Sequence, residues 1–184
     1  MRIGVYIGSF NPVHVGHLHV ANYLIENDYV DRVLLLATPN YWHKQNLIDI
    51  VHRENMLKFF ENESIQVDTI HNKYTYTHEI LDALERDYPN DEFYLILGSD
   101  NLEHLDKWVK IDEILKRKII VLNRGNYNCP VDSTNMIFVN DFNYINISST
   151  EIRNNMDTKY LPKDVYDYIK RNNLYSRWLY EKYK

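Results

Sequence analysis

Cysteine, glycine and proline are scarce in this 184-residue chain, which also has no excess of positive charge. Cys129 is the only cysteine, which excludes an intramolecular disulfide and a thiolate cluster around a metal. The formal net charge of -5 argues against a protein that binds a nucleic acid polymer, because such proteins usually carry a basic face. The charge does not exclude a small anionic ligand, since a few local cations are enough to hold a phosphate.

The N-terminal stretch MRIGVYIGS has one arginine and only a few apolar residues. It is too short for a signal peptide or a membrane span, so we expect a cytoplasmic protein that does not enter a membrane. The apolar fraction of 45% predicts a folded chain. The sequence has no long linker, repeat or low-complexity tract, which predicts one domain over 1–184 with a C-terminal helical part from about 148 to 184.

Apolar runs typical of buried strands alternate with stretches whose apolar spacing is typical of helices. Strands are predicted at 2–8, 32–38, 64–69, 92–100, 116–124 and 136–140, and helices at 17–27, 49–62, 77–88, between the last two long strands, at 148–155 and after Pro162. This alternation favours an α/β fold, a parallel sheet with helices on both faces. Open sheets of this kind bind ligands at the carboxyl ends of the strands, where the strand order reverses.

The scarce glycine and proline are concentrated in GSFNPVHVGH at 8–17, between the first strand and the first helix. Neither G-x-x-x-x-G-K-[ST] nor G-x-G-x-x-G occurs, which excludes two common phosphate loops. Gly8 permits a close approach of a ligand to the backbone, and Pro12 stiffens the turn. Gly16 lies near a helix start, where free N–H groups favour an anion.

His14 and His17 are three residues apart and share one side of a helical turn that begins there. Imidazoles with a pKa near neutrality donate to phosphate oxygens and gain charge beside them. Three interpretations stay open: a packed turn with incidental histidines, a metal site that needs a third ligand, and a phosphate site.

The stretch ISSTEIR at 147–153 is the second informative motif. Ser148, Ser149 and Thr150 supply hydroxyl groups and free backbone N–H groups at a helix start. Arg153 follows one turn later, on a side from which it reaches the same anion. The alternative is a well-capped surface helix.

The first motif, G-x-F-x-P-x-H-x-G-H, resembles the signature of nucleotidyltransferases with an (H/T)-x-G-H sequence, and ISSTEIR resembles the I-S-S-T-x-[IV]-R motif of the same superfamily. The resemblance implies a Rossmann-like fold, nucleotidyl transfer with loss of pyrophosphate, and Mg²⁺ bound mainly through ATP phosphates. It also implies the following ATP-binding residues: Gly8, Ser9, Phe10, His14, Gly16, His17, Gly98, Asp100, Ile147, Ser148, Ser149, Thr150 and Arg153.

Further stretches over nearly the whole chain resemble nicotinate-nucleotide adenylyltransferases. They are His43–Lys44, Arg53 with Met56, YTYTHEILDAL at 74–84, GSDNLEHLDKW at 98–108, NRG at 123–125 and the ending at 161–175. The resemblance implies adenylyl transfer from ATP to nicotinate mononucleotide in NAD biosynthesis. It implies His14, His17, Lys44 and Arg153 as catalytic residues, and Lys44, Thr75, Tyr76, Thr77, Trp108 and Arg124 as mononucleotide-binding residues.

Each of these residues also has a simpler interpretation. Trp108 stacks on a pyridine ring or is a boundary residue, and Asp100 binds a ribose or caps a helix. Thr77 offers its backbone N–H to a carboxylate or only caps a helix, and Lys44 holds a phosphate or is a solvated surface lysine.

The sequence departs from the family pattern on the mononucleotide side. Tyr41 and Trp42 replace prolines, and His78–Glu79 replaces an acid–Thr pair. Other acceptors (nicotinamide mononucleotide or phosphopantetheine), a non-catalytic nucleotide-binding protein and a metal-binding protein therefore remain alternatives. We expect ATP and a pyridine mononucleotide as partners, and assembly into a homo-oligomer is left open.

Overall fold

The computed structural model describes residues 1–39, 47–155 and 157–175, and it is built on one six-stranded sheet. The strands are β1 (Arg2–Gly8), β2 (Arg32–Ala37), β3 (Ile65–Asp68), β4 (Glu92–Gly98), β5 (Lys118–Leu122) and β6 (Met136–Val139). Every neighbouring pair is parallel, in the order β3-β2-β1-β4-β5-β6. The predicted α/β, Rossmann-like parallel sheet is confirmed, and each strand lies within the predicted run.

The helices cover the stretches that the apolar spacing predicted. They are α1 (Val15–Glu26), α2 (Ile50–Lys58), α3 (Thr77–Asp87), α4 (Ile111–Ile114), α5 (Ser149–Asn155) and α6 (Lys163–Arg171), with 3-10 segments at His71–Lys73, Ser99–Lys107 and Thr158–Tyr160. Two details differ from the prediction. Helix α1 begins two residues earlier, because the His14 side chain caps it, and most of the helical stretch after β4 is 3-10.

Two apolar cores lie on opposite faces of the sheet, as alternation along the strands requires. Along β4, Ile96 belongs to one core, whereas Leu95 and Leu97 belong to the other. The first core includes Leu24 of α1, Leu57 of α2 and Ile169 of α6. The second includes Leu84 of α3 and Leu105 of the 3-10 segment. Helical elements therefore cover both faces, as predicted.

The strand order reverses between β1 and β4. The chain moves from β1 to β2 and β3 in one direction and then returns across β1 to place β4 on its other side. Gly8 and Gly98 end these two strands, so the crevice at the reversal opens between two glycines. In the three described ranges, no helix is both long and apolar enough to cross a bilayer.

A buried histidine joins β3 to α3. His71 is 2% exposed, and its Nδ1 lies 2.6 Å from Asp68 Oδ2 while its Nε2 lies 2.9 Å from Asp87 Oδ2. The bond to His71, and then the bond to Arg86, lower the pKa of Asp87. A carboxyl group with a lowered native pKa stabilises the fold above its unfolded pKa, and this contribution disappears as pH falls through the native value.

We expect Asp87→Asn to lower the free energy of unfolding only modestly at pH 7, because solvent screens this partly exposed carboxylate. At a pH of about 2.5 the difference between the two proteins should be smaller, since lowering the pH toward the native pKa of Asp87 moves the wild-type carboxyl toward its protonated form. Urea unfolding at both pH values measures the difference, with Asp106→Asn at an exposed position as the control. An equal loss at both pH values would contradict the ionic contribution.

Candidate active site

A cleft with an empty volume of about 430 Å³ opens over the carboxyl ends of β1, β4 and β5. It is lined by residues from the start of α1, from the strand ends and from the segment 142–147. They are Tyr6, His14, Gly16, His17, Val20, Ile96, Leu97, Gly98, Leu122, Arg124, Phe142, Tyr144, Ile145 and Ile147. The cleft thus occupies the reversal of strand order. Five of the predicted ATP-binding residues, His14, Gly16, His17, Gly98 and Ile147, line it.

The two histidine rings cap the first turn of α1. The Nδ1 atom of His14 accepts a hydrogen bond from the Gly16 N–H at 3.0 Å. The Nδ1 atom of His17 accepts one from the His14 N–H at 3.1 Å. The rings stack with their centroids 3.7 Å apart. Each imidazole therefore satisfies a backbone donor that helix starts otherwise leave free.

This capping fixes the protonation of both rings. Because each Nδ1 accepts a hydrogen bond, the neutral ring carries its proton on Nε2. Burial, with a further contribution from Arg124, lowers the pKa of His14 to about 4. Burial, His14 and Arg124 lower the pKa of His17 well below its usual value. The expected near-neutral pKa is thus wrong for both rings, and the cleft contains two neutral Nε2–H donors.

Packing around the first motif explains its glycines. A Cβ on Gly16 would lie 2.8 Å from Cε1 of the His14 ring, which is closer than such contacts occur. A Cβ on Gly8 would lie 3.3 Å from the Phe10 ring. Phe10 has a left-handed backbone (φ 46°) and is 1% exposed. The Phe10 ring therefore packs inside the protein. Only the Phe10 backbone can make the predicted contact with ATP.

The second motif contacts the first across 137 residues or more of sequence. Ser149 Oγ donates to the Pro12 carbonyl at 2.8 Å, and Arg153 Nη1 donates to the Asn11 carbonyl at 2.6 Å. Arg153 Nη2 lies 3.3 Å from Thr150 Oγ1. The structure thus brings the two predicted phosphate motifs together.

Within the second motif, the helix start is capped by its own side chains. Ser148 Oγ accepts from the Glu151 N–H at 3.1 Å, while the Glu151 carboxylate accepts from the Ser148 N–H at 2.9 Å. The capped-helix interpretation therefore holds for Ser148. It does not exclude ligand contacts from Ser149 and Thr150.

The end of β4 and the turn after β5 meet at the other side of the cleft. Asp100 Oδ2 lies 3.8 Å from Arg124 Nη1, and Ser99 Oγ accepts from the Arg124 N–H at 2.7 Å. The 3-10 segment is capped at Gly98 without a side-chain bond, so Asp100 is not the helix cap of the alternative interpretation. A Cβ on Gly98 would overlap the Asp100 carboxylate and lie 2.9 Å from Arg124 Cδ, so a larger residue there would displace both side chains.

A second cleft contains most of the predicted mononucleotide residues. Thr75, Tyr76, Thr77 and Trp108 line it together with Lys107, Val109 and Ile114. Arg124 lines the first cleft instead, so the structure separates it from the group to which it was assigned. Lys44 and its neighbour His43 lie outside the described residues, as do Tyr41 and Trp42.

Glu79 occupies the backbone donors just before α3. Its Oε2 accepts from the Thr75 N–H at 3.1 Å and from the Tyr76 N–H at 3.0 Å. Tyr76 is the N-cap residue and Thr77 the first helical residue, so the predicted cap at Thr77 lies one residue earlier. This chain has His78–Glu79 where the family pattern has an acid–Thr pair. The Glu79 carboxylate thus accepts hydrogen bonds from two backbone N–H groups beside the second cleft.

Comparison with known proteins assigns the family. The sequence profile of the cytidylyltransferase-like family matches residues 5–155. A nicotinate-nucleotide adenylyltransferase from Bacillus subtilis is 31% identical, with 95% of this chain and 98% of that protein covered. A probable nicotinate-nucleotide adenylyltransferase from Flavobacterium johnsoniae is 33% identical over 96% of this chain and 100% of its own length. This chain belongs to the nicotinate-nucleotide adenylyltransferase family.

Solved structures agree with the family fold. The nicotinic acid mononucleotide adenylyltransferase of Plasmodium falciparum, solved in complex with NaAD, superposes with a TM-score of 0.77. It is 24% identical, and the alignment covers 95% of this chain and 97% of that one. At this identity the likeness supports the fold alone.

Three residues of this adenylyltransferase-family site escaped the sequence analysis or received no role in it. Tyr6 lines the first cleft, and burial raises its pKa to about 12, so its hydroxyl stays protonated. Arg53 is fully buried and donates to the carbonyls of Ile48 and Ser9 at 2.9 and 2.8 Å. Asn11 is 3% exposed and accepts from Arg153. An arginine in the R-x-x-M match was the one available signal for Arg53.

The metal interpretation of the histidine motif lacks a ligand set. Across 1–39, 47–155 and 157–175, His, Cys, Asp and Glu side chains form no group of three or more that could hold a metal ion. His14 and His17 instead use their Nδ1 atoms on backbone N–H groups. The described residues of this family member thus favour the phosphate interpretation.

We expect His14 to remain neutral on acidification until the pH approaches about 4, because burial disfavours its charged form. Nitrogen-15 NMR of the ligand-free protein, with His14→Gln to assign the signals, should show a protonated Nε2 and a bare Nδ1 from pH 8 to pH 5. In urea the same ring should titrate near its ordinary value of about 6.5. A native midpoint above pH 6 would contradict the buried, capping geometry.

Proposed function

We propose that this chain transfers the adenylyl group of ATP to nicotinate mononucleotide, giving deamido-NAD and pyrophosphate. One observation carries the proposal: two neutral imidazoles, stacked 3.7 Å apart, present Nε2–H donors at the start of α1 and the carboxyl end of β1. That arrangement suits an anionic phosphate, because helix dipole and donors act together. The nicotinate-nucleotide adenylyltransferases named above supply the choice of substrates.

The two motifs divide the triphosphate between them in this proposal. His14 and His17 donate toward the α-phosphate and the bridging oxygen of the leaving group. Arg153 and the Thr150 hydroxyl hold the pyrophosphate portion, while the Ser149 hydroxyl stays on the Pro12 carbonyl. Bonds from Ser149 and Arg153 to the 11–12 backbone keep the two motifs in fixed relation, so the donors are oriented before the substrate arrives.

The second cleft suits the pyridine mononucleotide. Trp108 offers a large flat ring for stacking, and Thr75 and Thr77 offer hydroxyl groups. The 3-10 segment Ser99–Lys107 begins at the first cleft and ends at the second, so it connects the two substrates. Lys44 belongs to the proposal as a further cation for phosphate, assigned through the family motif.

The reaction is an in-line displacement at the α-phosphorus. A phosphate oxygen of the mononucleotide forms the new P–O bond, while the bond from the α-phosphorus to the bridging oxygen breaks and pyrophosphate leaves with its electron pair. The nucleophile is already an anion and needs no general base. Catalysis then rests on orientation and on stabilisation of developing charge, without a covalent enzyme intermediate.

Mg²⁺ is the proposed cofactor and supplies charge neutralisation on the phosphate oxygens when it is bound. The donor set fits an ion held through substrate: the Asp100 carboxylate lies near the first cleft, 3.8 Å from Nη1 of Arg124, which lines it. Mg²⁺ commonly keeps several waters and binds nucleotide phosphates directly, so few protein ligands are needed.

Nicotinamide mononucleotide is the acceptor that one observation favours as an alternative. The Glu79 carboxylate lies on the amides of Thr75 and Tyr76, beside the cleft that would receive the pyridine substituent. An anion there repels a substrate carboxylate more than a neutral carboxamide.

The function is tested by pyrophosphate release from ATP and Mg²⁺, with nicotinate mononucleotide and nicotinamide mononucleotide in parallel reactions. We expect release with nicotinate mononucleotide and weaker release with nicotinamide mononucleotide. Equal rates with the two acceptors would support adenylyl transfer but contradict a preference for nicotinate mononucleotide. Binding of ATP without pyrophosphate release in the presence of either mononucleotide, or of phosphopantetheine, would indicate a non-catalytic nucleotide-binding protein instead.

We expect His17→Ala to lower kcat about 100-fold or more while ATP affinity changes by less than about tenfold. The His17 donor contributes most where charge develops in the transition state, and lost donors of this kind have effects of that size. Steady-state kinetics with nicotinate mononucleotide, together with calorimetric binding of a non-reacting ATP analogue, separate the two effects.

His104→Ala is the matched control, since His104 is exposed on the 3-10 segment. It should keep the wild-type kcat. A His17→Ala protein with wild-type kcat would remove the proposed catalytic role.

A further inference from the structure

Asn11 is the meeting point of three segments that are far apart in sequence. Its Oδ1 accepts hydrogen bonds from the Tyr175 hydroxyl at 2.7 Å and from the Ile48 N–H at 3.4 Å. Its carbonyl accepts from Arg153 at 2.6 Å. The residue is 3% exposed, so these bonds form where water does not compete. The position of Asn11 therefore depends on its partners.

The turn after α6 places Tyr175 beside Asn11. Asn173 adopts the left-handed conformation (φ 50°), and the Leu174 N–H donates to the Ile169 carbonyl at 3.0 Å, which closes the helix as a Schellman motif does. Leu174 is 8% exposed in the first core and anchors the turn. Tyr175 is then directed toward the 9–12 loop rather than into solvent.

The Tyr175 hydroxyl is a fixed donor. Burial raises its pKa, although Arg153 and Arg53 act in the opposite direction, so the phenol stays protonated at neutral pH. A protonated phenol donates one hydrogen bond, and Asn11 Oδ1 accepts it.

We propose that Tyr175 is a positioning residue for adenylyl transfer: its bond to Asn11 holds the loop on which Arg153 and Ser149 rest. This inference rests on the proposed function. Tyr175 lies outside residues 5–155, the part matched by the cytidylyltransferase-like profile, so the C-terminal segment adds a support that the shared nucleotidyltransferase unit does not contain.

The physical consequence follows from the short chain of contacts. The Asn11 and Pro12 carbonyls accept from Arg153 and Ser149, and Phe10 packs against the His17 ring with centroids 4.9 Å apart. A shift of the loop therefore moves cation, hydroxyl and imidazole together. Small displacements of this kind reduce rates strongly, because in-line transfer depends on alignment.

Tyr175→Phe removes the hydroxyl and keeps the ring, and Tyr168→Phe is the matched control. The Tyr168 hydroxyl bonds to His52 Nδ1 at 2.8 Å and Asn55 Nδ2 at 3.0 Å, which joins α6 to α2 away from the 9–12 loop. We expect Tyr175→Phe to lower kcat about tenfold, and Tyr168→Phe to stay within about twofold of wild type. Thermal unfolding midpoints, measured for both variants, show whether a loss of kcat goes beyond a general loss of stability.

Wild-type kcat in Tyr175→Phe, or an equal loss of kcat in Tyr168→Phe, would overturn the inference. A double-mutant cycle sharpens the test. If Tyr175 acts through Asn11, adding Tyr175→Phe to Asn11→Ala should cause no further loss of kcat. Independent, multiplying losses would show that the hydroxyl acts elsewhere and would also overturn it.

Failure of the proposed function has a different signature. It would appear as absent pyrophosphate release in the wild-type protein with every acceptor. The positioning role is then judged by calorimetric binding of ATP with Mg²⁺: about tenfold weaker binding in Tyr175→Phe, with unchanged binding in Tyr168→Phe, supports it. Equal binding in all three proteins would refute it.

Discussion

The cleft depends on two hydrogen bonds at the start of α1, in which the His14 ring accepts from Gly16 and the His17 ring accepts from the His14 backbone. Side chains of Ser, Thr, Asp or Asn usually perform this capping. An imidazole does it with one nitrogen and leaves the other as a donor. The same bonds that begin the helix therefore fix the tautomer, the ring orientation and the direction of the two donors.

Capping by the two imidazoles requires a rigid loop before α1. Side chains from distant segments hold that loop in place. Arg53 holds the Ser9 carbonyl, and Arg153 and Ser149 hold the carbonyls of Asn11 and Pro12. Polar backbone groups of a buried loop need such partners, because an unpaired group away from water is costly. Two of these three residues, Arg153 and Ser149, thus also belong to the second predicted phosphate motif.

Local pattern was enough to predict the strands, the helices and the two motifs. Apolar runs and helical spacing depend on neighbouring residues, and the reversal of strand order follows from the α/β topology. Local pattern did not predict contacts between distant segments. These are Asn11 with Tyr175, Ser9 with Arg53, and Arg124 with the first cleft. Such pairings depend on how distant segments pack. For the same reason, local pattern does not reveal that burial lowers the pKa values of His14 and His17.

The neutral state of the two imidazoles has a consequence for how the cleft handles charge. A permanently charged pair stacked at 3.7 Å would repel itself and resist burial, so both buried rings stay uncharged. In the proposed function, a triphosphate would supply negative charge next to the Nε2–H groups and would raise the pKa of both rings. Positive charge would then develop beside the phosphates, and its attraction to them would offset the cost of burying it. The folded protein thus avoids a buried like-charge pair and still presents two oriented donors to the proposed nucleotide.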